Sequence, residues 1–368
     1  MRRVPLKSVN NGDILAQSIY DHRGRILLKA GNRLNENRCK KAYDHNVRSV
    51  YIADDDDDIG SLKDVVSPLV RIEAVESVRS IYEKFINKTT SNDIMEGRTV
   101  RFDENPHIVK MMKAAEKLTD EIFLNPTAMV EMVSIKSFDN YHYEHAVNVA
   151  VLSLLLGMDL RLKEDDLSKL VLAALLMDIG NDFISDDILN KPSSLTDDEW
   201  DIIKTHPEKS CEYLERKTDI STTIRHIILR HHERYDGSGY PNGVKGDEIH
   251  EFARIIAIAD TYDALTSDRP WREAYSPDEA LELIMGSSGT LFDFAYVNLF
   301  AKRVVAYPIG TYVLLSNGDQ GEVSDINPDV PLRPIVKILK HATEGKYETV
   351  DLCESLSTTV EKVIYQIE

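Results

Sequence analysis

The chain has 368 residues, a formal net charge of −18 and three cysteines. That acidic balance argues against nucleic acid or an anionic membrane as partner, and any anionic ligand then needs locally placed cations or metal. Cys39, Cys211 and Cys353 are far apart and odd in number, as expected of reduced thiols in a cytoplasmic protein; the N-terminus lacks a signal-like apolar core, and the apolar runs are too short for a bilayer.

Residues 1–60 read as a small β-rich module. Its short β-like segments include Ile26-Leu27-Leu28 and Val47 to Ile52, and the turn signals Asn10 to Asp13 and Lys29 to Asn32 break them. A helix is expected near Glu36 to Asn46. The acidic run Asp54 to Asp58 reads as a solvated linker. Residues 61–124 read as helical lead-in and 125–305 as a helical domain. Helices are expected over Val66 to Ile86, Ile108 to Phe123, Glu144 to Gly157, Asp165 to Met177, Asp197 to Leu214 and Arg254 to Leu265, each with apolar residues at three- and four-residue spacing. Residues 306–368 return to β-like text, with strands at Pro308 to Leu315 and Ile335 to Leu339.

The densest chemistry is His231-His232-Glu233-Arg234-Tyr235-Asp236-Gly237-Ser238-Gly239-Tyr240-Pro241. Neutral imidazole is a common ligand of transition metals, and glycine lets backbone approach a ligand closely. His145 opens an apolar helix, Asp178 follows the apolar run Leu170 to Met177, and Asp260 sits inside Arg254 to Leu265. A carboxylate in such company is costly to bury unless paired or bound to metal. His206 precedes Pro207, a favoured first helical residue. Alone, His145 reads as a core histidine, His206 as a cap-region residue and Asp178 as a helix-end carboxylate turned to solvent. Together they make four imidazoles and two carboxylates, a set suited to Mn, Fe, Ni or Zn. Glu233 and Asp236 are candidates either for capping the loop or for orienting His231 or His232, the second favoured by adjacency. Trp200 and Trp271 read as packing anchors.

The order His145, Asp178, His206, His231-His232 and Asp260, with the Gly237 to Pro241 loop, resembles the HD-GYP domain, a branch of the HD phosphohydrolases that cleaves cyclic di-GMP. Asp187 to Pro192, Tyr262 to Pro270 and Ser288 to Asp293 agree with it, over roughly residues 125 to 302. The resemblance implies a mainly α fold, an all-helical HD domain between small β-rich modules. It also implies metals, Fe or Mn foremost, about 3.5–4 Å apart and bridged by Asp178, which steady the attacking and leaving oxygens of a phosphodiester. One metal would fall to His145, the histidine of the HD pair, Asp178 and Asp260; the other to Asp178, His206, His231 and His232. Arg269 and Arg272 match positions that meet the ligand's phosphates, and Gly239, Tyr240 and Pro241 shape the wall facing guanine.

The chain departs from the family at its defining motif. Where the family has His-Asp-x-Gly-Lys, this sequence reads Met177-Asp178-Ile179-Gly180-Asn181. A thioether is a poor ligand for these divalent ions, so Met177 is expected in the core, leaving one well-formed metal site and one weakened. Asn181 lacks the lysine's charge, and losing such a group costs about 10²–10³ in rate. Tyr141, one turn before His145, argues against a third metal, with Asn140 and His142 nearby. Three functions remain open: binding of cyclic di-GMP with hydrolysis to pGpG or GMP weak or lost, the favoured reading; a fully active phosphodiesterase; and an HD hydrolase of another phosphoester. A non-catalytic interaction module is a further alternative. Partner proteins would dock through the Gly-Tyr-Pro loop or the end modules, and a homodimer is among the assemblies open to the chain.

Overall fold

In this computed structural model the described residues are 2–20, 25–45, 47, 49–53, 65–87, 105–124, 141–268, 272–343 and 346–365. The Asp54 to Asp58 run, Asn140, Arg269 and Trp271 lie outside them. The architecture is mainly helical with small antiparallel sheets near both ends, as the sequence led us to expect. The chain divides into two compact units; residues 69–128 and 140–300 form the helical one, and the other contains the end segments 1–68 and 301–368.

The N-terminal segment carries β1 (Arg2–Pro5), β2 (Ile14–Leu15), β3 (Ile19–Tyr20), β4 (Ile26–Leu28), α1 (Glu36–Asp44) and β5 (Ser49–Ala53). β5 lies between β1 and β2, while β3 and β4 pair separately. Val4, Leu15, Leu28, Leu34, Val50 and Ile52 are buried together beneath them. The Asn35 side chain accepts from the Arg38 amide and starts α1.

The helical unit contains α2 (Pro68–Asn87), α3 (Pro106–Leu124), α4 (Tyr141–Asp159), α5 (Glu164–Leu176), α6 (Asp186–Leu189), α7 (Asp197–Ile203), α8 (His206–Lys217), α9 (Thr222–Leu229), α10 (Glu251–Leu265), α11 (Pro277–Gly286) and α12 (Phe294–Ala301). α4 is buried on every face from His145 to Gly157, packing against α5 and α10. A helix apolar all round can only be a central one. Among the described residues no helix is long and apolar enough to cross a membrane.

Two differences from the sequence reading matter. The single helix expected over Asp197 to Leu214 is two, α7 and α8, broken at Lys204-Thr205. Pro207 is the cause. It has no N–H to offer the Ile203 carbonyl four residues back, so the ladder cannot run through. The threonine start was legible: Thr196 and Glu199 form a reciprocal capping box on α7. Helices α6, α9, α11 and α12 were not anticipated, being short with fewer repeats of their apolar spacing. Trp200, expected as an anchor, is 47% exposed.

After α12 come β6 (Tyr312–Leu315), β7 (Gln320–Asp325), β8 (Ile335–Thr343), β9 (Lys346–Asp351) and β10 (Val360–Ile364), one antiparallel sheet in the order β10-β6-β7-β8-β9. The turn at Asn317-Gly318-Asp319 joins β6 to β7, with Gly318 at φ 87°.

Candidate metal centre

The centre is built where four helix ends and one helix interior meet. α5 ends at Leu176, and Asp178 follows it with φ −98° and ψ 7°, the sparsely populated bridge region where active-site residues often sit. Ile179–Phe183 then forms a 3-10 turn. Ser210 of α8 pins this bend, its Oγ donating to the Met177 carbonyl (2.8 Å) and accepting from the Gly180 amide (2.8 Å). Met177 itself is fully buried.

His206 and His231 reach the centre by the same device. A helix leaves the carbonyls of its last turn without intrahelical partners. His206 Nδ1 donates to the carbonyl of Ile203, the last residue of α7 (2.8 Å), and His231 Nδ1 donates to that of Ile228 in the last turn of α9 (2.6 Å). A carbonyl only accepts, so in each ring the Nδ1 nitrogen carries the proton and Nε2 faces inward. The two Nε2 atoms lie 3.3 Å apart, and 3.2 and 3.8 Å from Asp178 Oδ1. His232 stands beside them, and one ligand atom each from Asp178, His206, His231 and His232 lies within 4.8 Å of the others.

His145 and Asp260 complete the opposite side. His145 Nε2 is 3.0 Å from Asp260 Oδ1 and 3.8 Å from Asp178 Oδ2, and His232 Nδ1 is 3.5 Å from Asp260 Oδ2. His145 Nδ1 bonds Asp263 Oδ2 at 2.7 Å, and Asn148 Nδ2 donates to Asp263 Oδ1 at 3.0 Å. The sequence reading missed Asp263 and Asn148. The signal was available: Asp263 follows Asp260 by one turn and Asn148 follows His145 by one turn, so each pair shares a helix face.

The electrostatics suit a cation. Burial alone would raise the Asp178 carboxyl, but the hydrogen bond with His206 and the charges of His206, His145 and His231 hold it well below the ordinary carboxylate range. Burial opposes ionisation of Asp260 too, yet its bond to His145 and the nearby histidines bring it down to about 2. Burial would lower His145, but Asp260 and Asp263 outweigh it and raise the ring to about 9. His231 is lowered by burial and by His206, and His232 is lowered further by burial and by His231. Neutral imidazoles beside an ionised carboxylate are a donor set for borderline first-row metals. The observed geometry fits that group: two Nε2 lone pairs at 3.3 Å repel each other unless a cation or a proton sits between them.

The loop closes one wall. Tyr240 stacks on His232 (4.8 Å, 24°) and meets His206 edge-on (6.4 Å). A Cβ on Gly239 would fall 2.3 Å from the Arg234 amide nitrogen and 2.5 Å from the His232 carbonyl oxygen, so only glycine fits. The Tyr240–Pro241 peptide is cis. Of their two expected roles, Glu233 and Asp236 take loop capping rather than orientation of the histidines. Glu233 Oε1 accepts from the Asn242 amide (2.8 Å), and Asp236 Oδ1 accepts from Ser238, so both brace the loop itself. Arg272 Nη2 donates to the Ala264 and Leu265 carbonyls at the end of α10. Among the described residues its Nη1 is buried without a hydrogen-bond partner. Asn181 is half-buried in the 3-10 turn, and His142 is not among the clustered ligand atoms. Tyr141 stacks on His145 (5.3 Å, 19°), where a third metal would need a carboxylate.

The HD-domain family matches residues 115–295, and a KOW domain associated with HD domains matches residues 312–368. Residues 115–295 are an HD domain. The chain is 37% identical over 228 residues to the cyclic di-GMP phosphodiesterase PA4108 of Pseudomonas aeruginosa, covering 61% of the chain and 55% of that protein. It is 44% identical over 140 residues to the cyclic di-GMP phosphodiesterase response regulator RpfG of Xanthomonas campestris pv. campestris, covering 38% of the chain and 37% of that protein. The chain thus spans about half or less of these curated relatives. Its fold resembles that of Bd1817, an HDG"Y"P protein from Bdellovibrio bacteriovorus, with a TM-score of 0.51 at 18% identity over 81% of this chain and 97% of that one. The KOW match gives the C-terminal sheet a family that its β-like text alone did not reveal.

Proposed function

We propose that this HD-GYP protein is a cytoplasmic receptor for cyclic di-GMP, holding Fe or Mn at the centre, with hydrolysis weak or lost. The observation that carries the metal reading is the convergence of the His206 and His231 Nε2 atoms on Asp178, each fixed by a helix-end carbonyl. A divalent metal held there supplies charge stabilisation at a phosphodiester and activates water. His206, His231, His232 and Asp178 would hold one ion; His145, Asp178 and Asp260 would hold a second more weakly, because fully buried Met177 is a thioether that hard ions disfavour. Tyr240 and Gly239 shape the wall against which a base stacks. Arg269 and Arg272, by their motif positions, would meet the phosphates. Asn181 leaves the developing charge on phosphorus without its cation. The names of the two matched relatives support cyclic di-GMP as the ligand.

A second reading, full phosphodiesterase activity, is favoured by the retention of four histidines facing Asp178 and Asp260. The test is cyclic di-GMP turnover after anaerobic loading with Fe(II) or Mn(II), wild type against Met177→His/Asn181→Lys, with equilibrium binding of the same nucleotide measured alongside. Binding by both proteins with turnover only in the double variant supports the receptor reading. Comparable turnover in both establishes the active enzyme, and absence of nucleotide binding in the wild type leaves a protein-interaction role.

A further inference from the structure

Helix α2 enters the shell of the centre at three points. Arg71 donates through Nη1 to Asn148 Oδ1 on α4. The Arg79 guanidinium lies over the Tyr143 ring at 5.4 Å. Tyr82, 1% exposed, donates to the Leu175 carbonyl at 3.4 Å, three residues before Asp178. The Arg71 contact is the one that leads inward. Asn148 Nδ2 donates to Asp263 Oδ1 (3.0 Å), Asp263 Oδ2 accepts from His145 Nδ1 (2.7 Å), and His145 Nε2 lies 3.0 Å from Asp260 and 3.8 Å from Asp178. Asn148 and Asp263 are both completely enclosed.

The outer end sets the direction of the first two bonds in this chain, and the carboxylate of Asp263 sets the third. A guanidinium has donors only, so the Asn148 atom facing Arg71 must be the carbonyl oxygen. That turns the amide nitrogen toward Asp263. An ionised carboxylate accepts only, so the proton between Asp263 and His145 belongs to Nδ1. Nε2 is then the atom left to face Asp260 and Asp178. The hydroxyls of Ser267 (3.4 Å from Asp263 Oδ2) and Tyr141 (3.2 Å from His145 Nδ1) rotate to either role and leave the direction unchanged. We propose that Arg71 is a positioning residue: through Asn148 and Asp263 it holds His145 in the Nδ1-protonated form that a metal ligand needs at Nε2. The inference rests on the metal reading given above.

The test is manganese(II) titration of the metal-free full chain against a chelating indicator, for wild type, Arg71→Lys and Arg71→Gln. The equivalent that depends on His145 is the one lost in His145→Ala. Lysine is again a pure donor, whereas glutamine also presents an acceptor. Arg71→Lys is expected to bind as the wild type does, and Arg71→Gln to weaken the His145-dependent equivalent by roughly 10- to 100-fold, the usual effect of losing a group behind a metal ligand. Equal binding by wild type and Arg71→Gln overturns the inference. Equal weakening by both variants overturns it too, because packing rather than donor direction is then responsible. Wild type that binds no manganese removes the metal reading and this inference together. Nitrogen-15 imidazole spectra of the zinc(II)-loaded wild type need no variant: a His145 proton on Nδ1 is expected, and one on Nε2 refutes the role of Arg71 while leaving the metal reading intact.

Discussion

Gly180 lies so close beneath His206 that a Cβ on it would fall 2.1 Å from the His206 carbonyl oxygen. The turn carrying Asp178 and the helix carrying His206 are therefore in backbone contact, with the Ser210 nitrogen only 2.7 Å from the same position. Both partners are backbone and have nowhere to retreat.

Gly180→Ala should thus part α8 from the Asp178 turn. We expect a loss of at least about 1–3 kcal/mol, the ordinary cost of overpacking, together with weaker metal uptake. Urea midpoints of the metal-free protein measure the first and indicator titration the second; an unchanged midpoint would refute the close contact.

The His145 ring, at about 9 in the fold against an ordinary 6.5, is protonated at neutral pH in the metal-free protein. A metal binds only the unprotonated Nε2, so uptake at this side must expel a proton, and affinity should rise with pH until about 9. For the metal-free fold the sign is opposite. A raised folded value stabilises fully below 6.5, and that contribution fades as pH climbs through about 9. Calorimetry in two buffers of different ionisation enthalpy reads the released proton; buffer-independent heats would contradict it.

Pro207→Ala offers an N–H to the Ile203 carbonyl, which His206 Nδ1 now occupies. Joining α7 to α8 would suit the backbone and strip His206 of the bond that fixes its tautomer. The expected result is metal affinity lowered roughly 10-fold or more with thermal stability of the metal-free protein unchanged or higher. A variant with wild-type affinity would show that the carbonyl bond is dispensable.

Tyr240→Ala removes the ring stacked on His232 and should weaken nucleotide binding by about 1–3 kcal/mol, the usual worth of a base on an aromatic platform, while metal stoichiometry stays the same. Gly239→Ala should disturb both, because its Cβ meets the His232 carbonyl as well as the Arg234 amide. Equal effects of the two variants on metal binding would show that Tyr240 helps hold the metal.

The residues that face the centre announced themselves because imidazoles and carboxylates stand out against apolar helices, as His145 and Asp260 do. What supports them was harder to read. Asp263 sits in ordinary-looking helix text, and nothing in a single sequence says that it bonds a histidine 118 positions away. The carbonyls of Ile203 and Ile228 have no sequence signature at all, so the orienting role went to Glu233 and Asp236 by adjacency, and the fold gave those two to the loop. The break before α8 was present in Pro207, but strong apolar spacing on both sides concealed it. Strands at the ends were found at β4, β5, β6 and β8, where turn signals flank them, and not named at β1, β2, β3, β7, β9 or β10.

Because His206 and His231 each take their orientation from the last turn of the helix that precedes them, the centre is wired to the segments of the unit most prone to fraying. Each time the end of α7 or α9 unwinds, one imidazole loses its anchor and is free to spin. An ion held there would, by gripping the far side of both rings, keep those helix ends wound. Amide exchange at the C-terminal residues of α7 and α9 should therefore slow on metal loading far more than exchange in the core of α4. The lifetime of the bound ion would then be limited by how often two helix ends open.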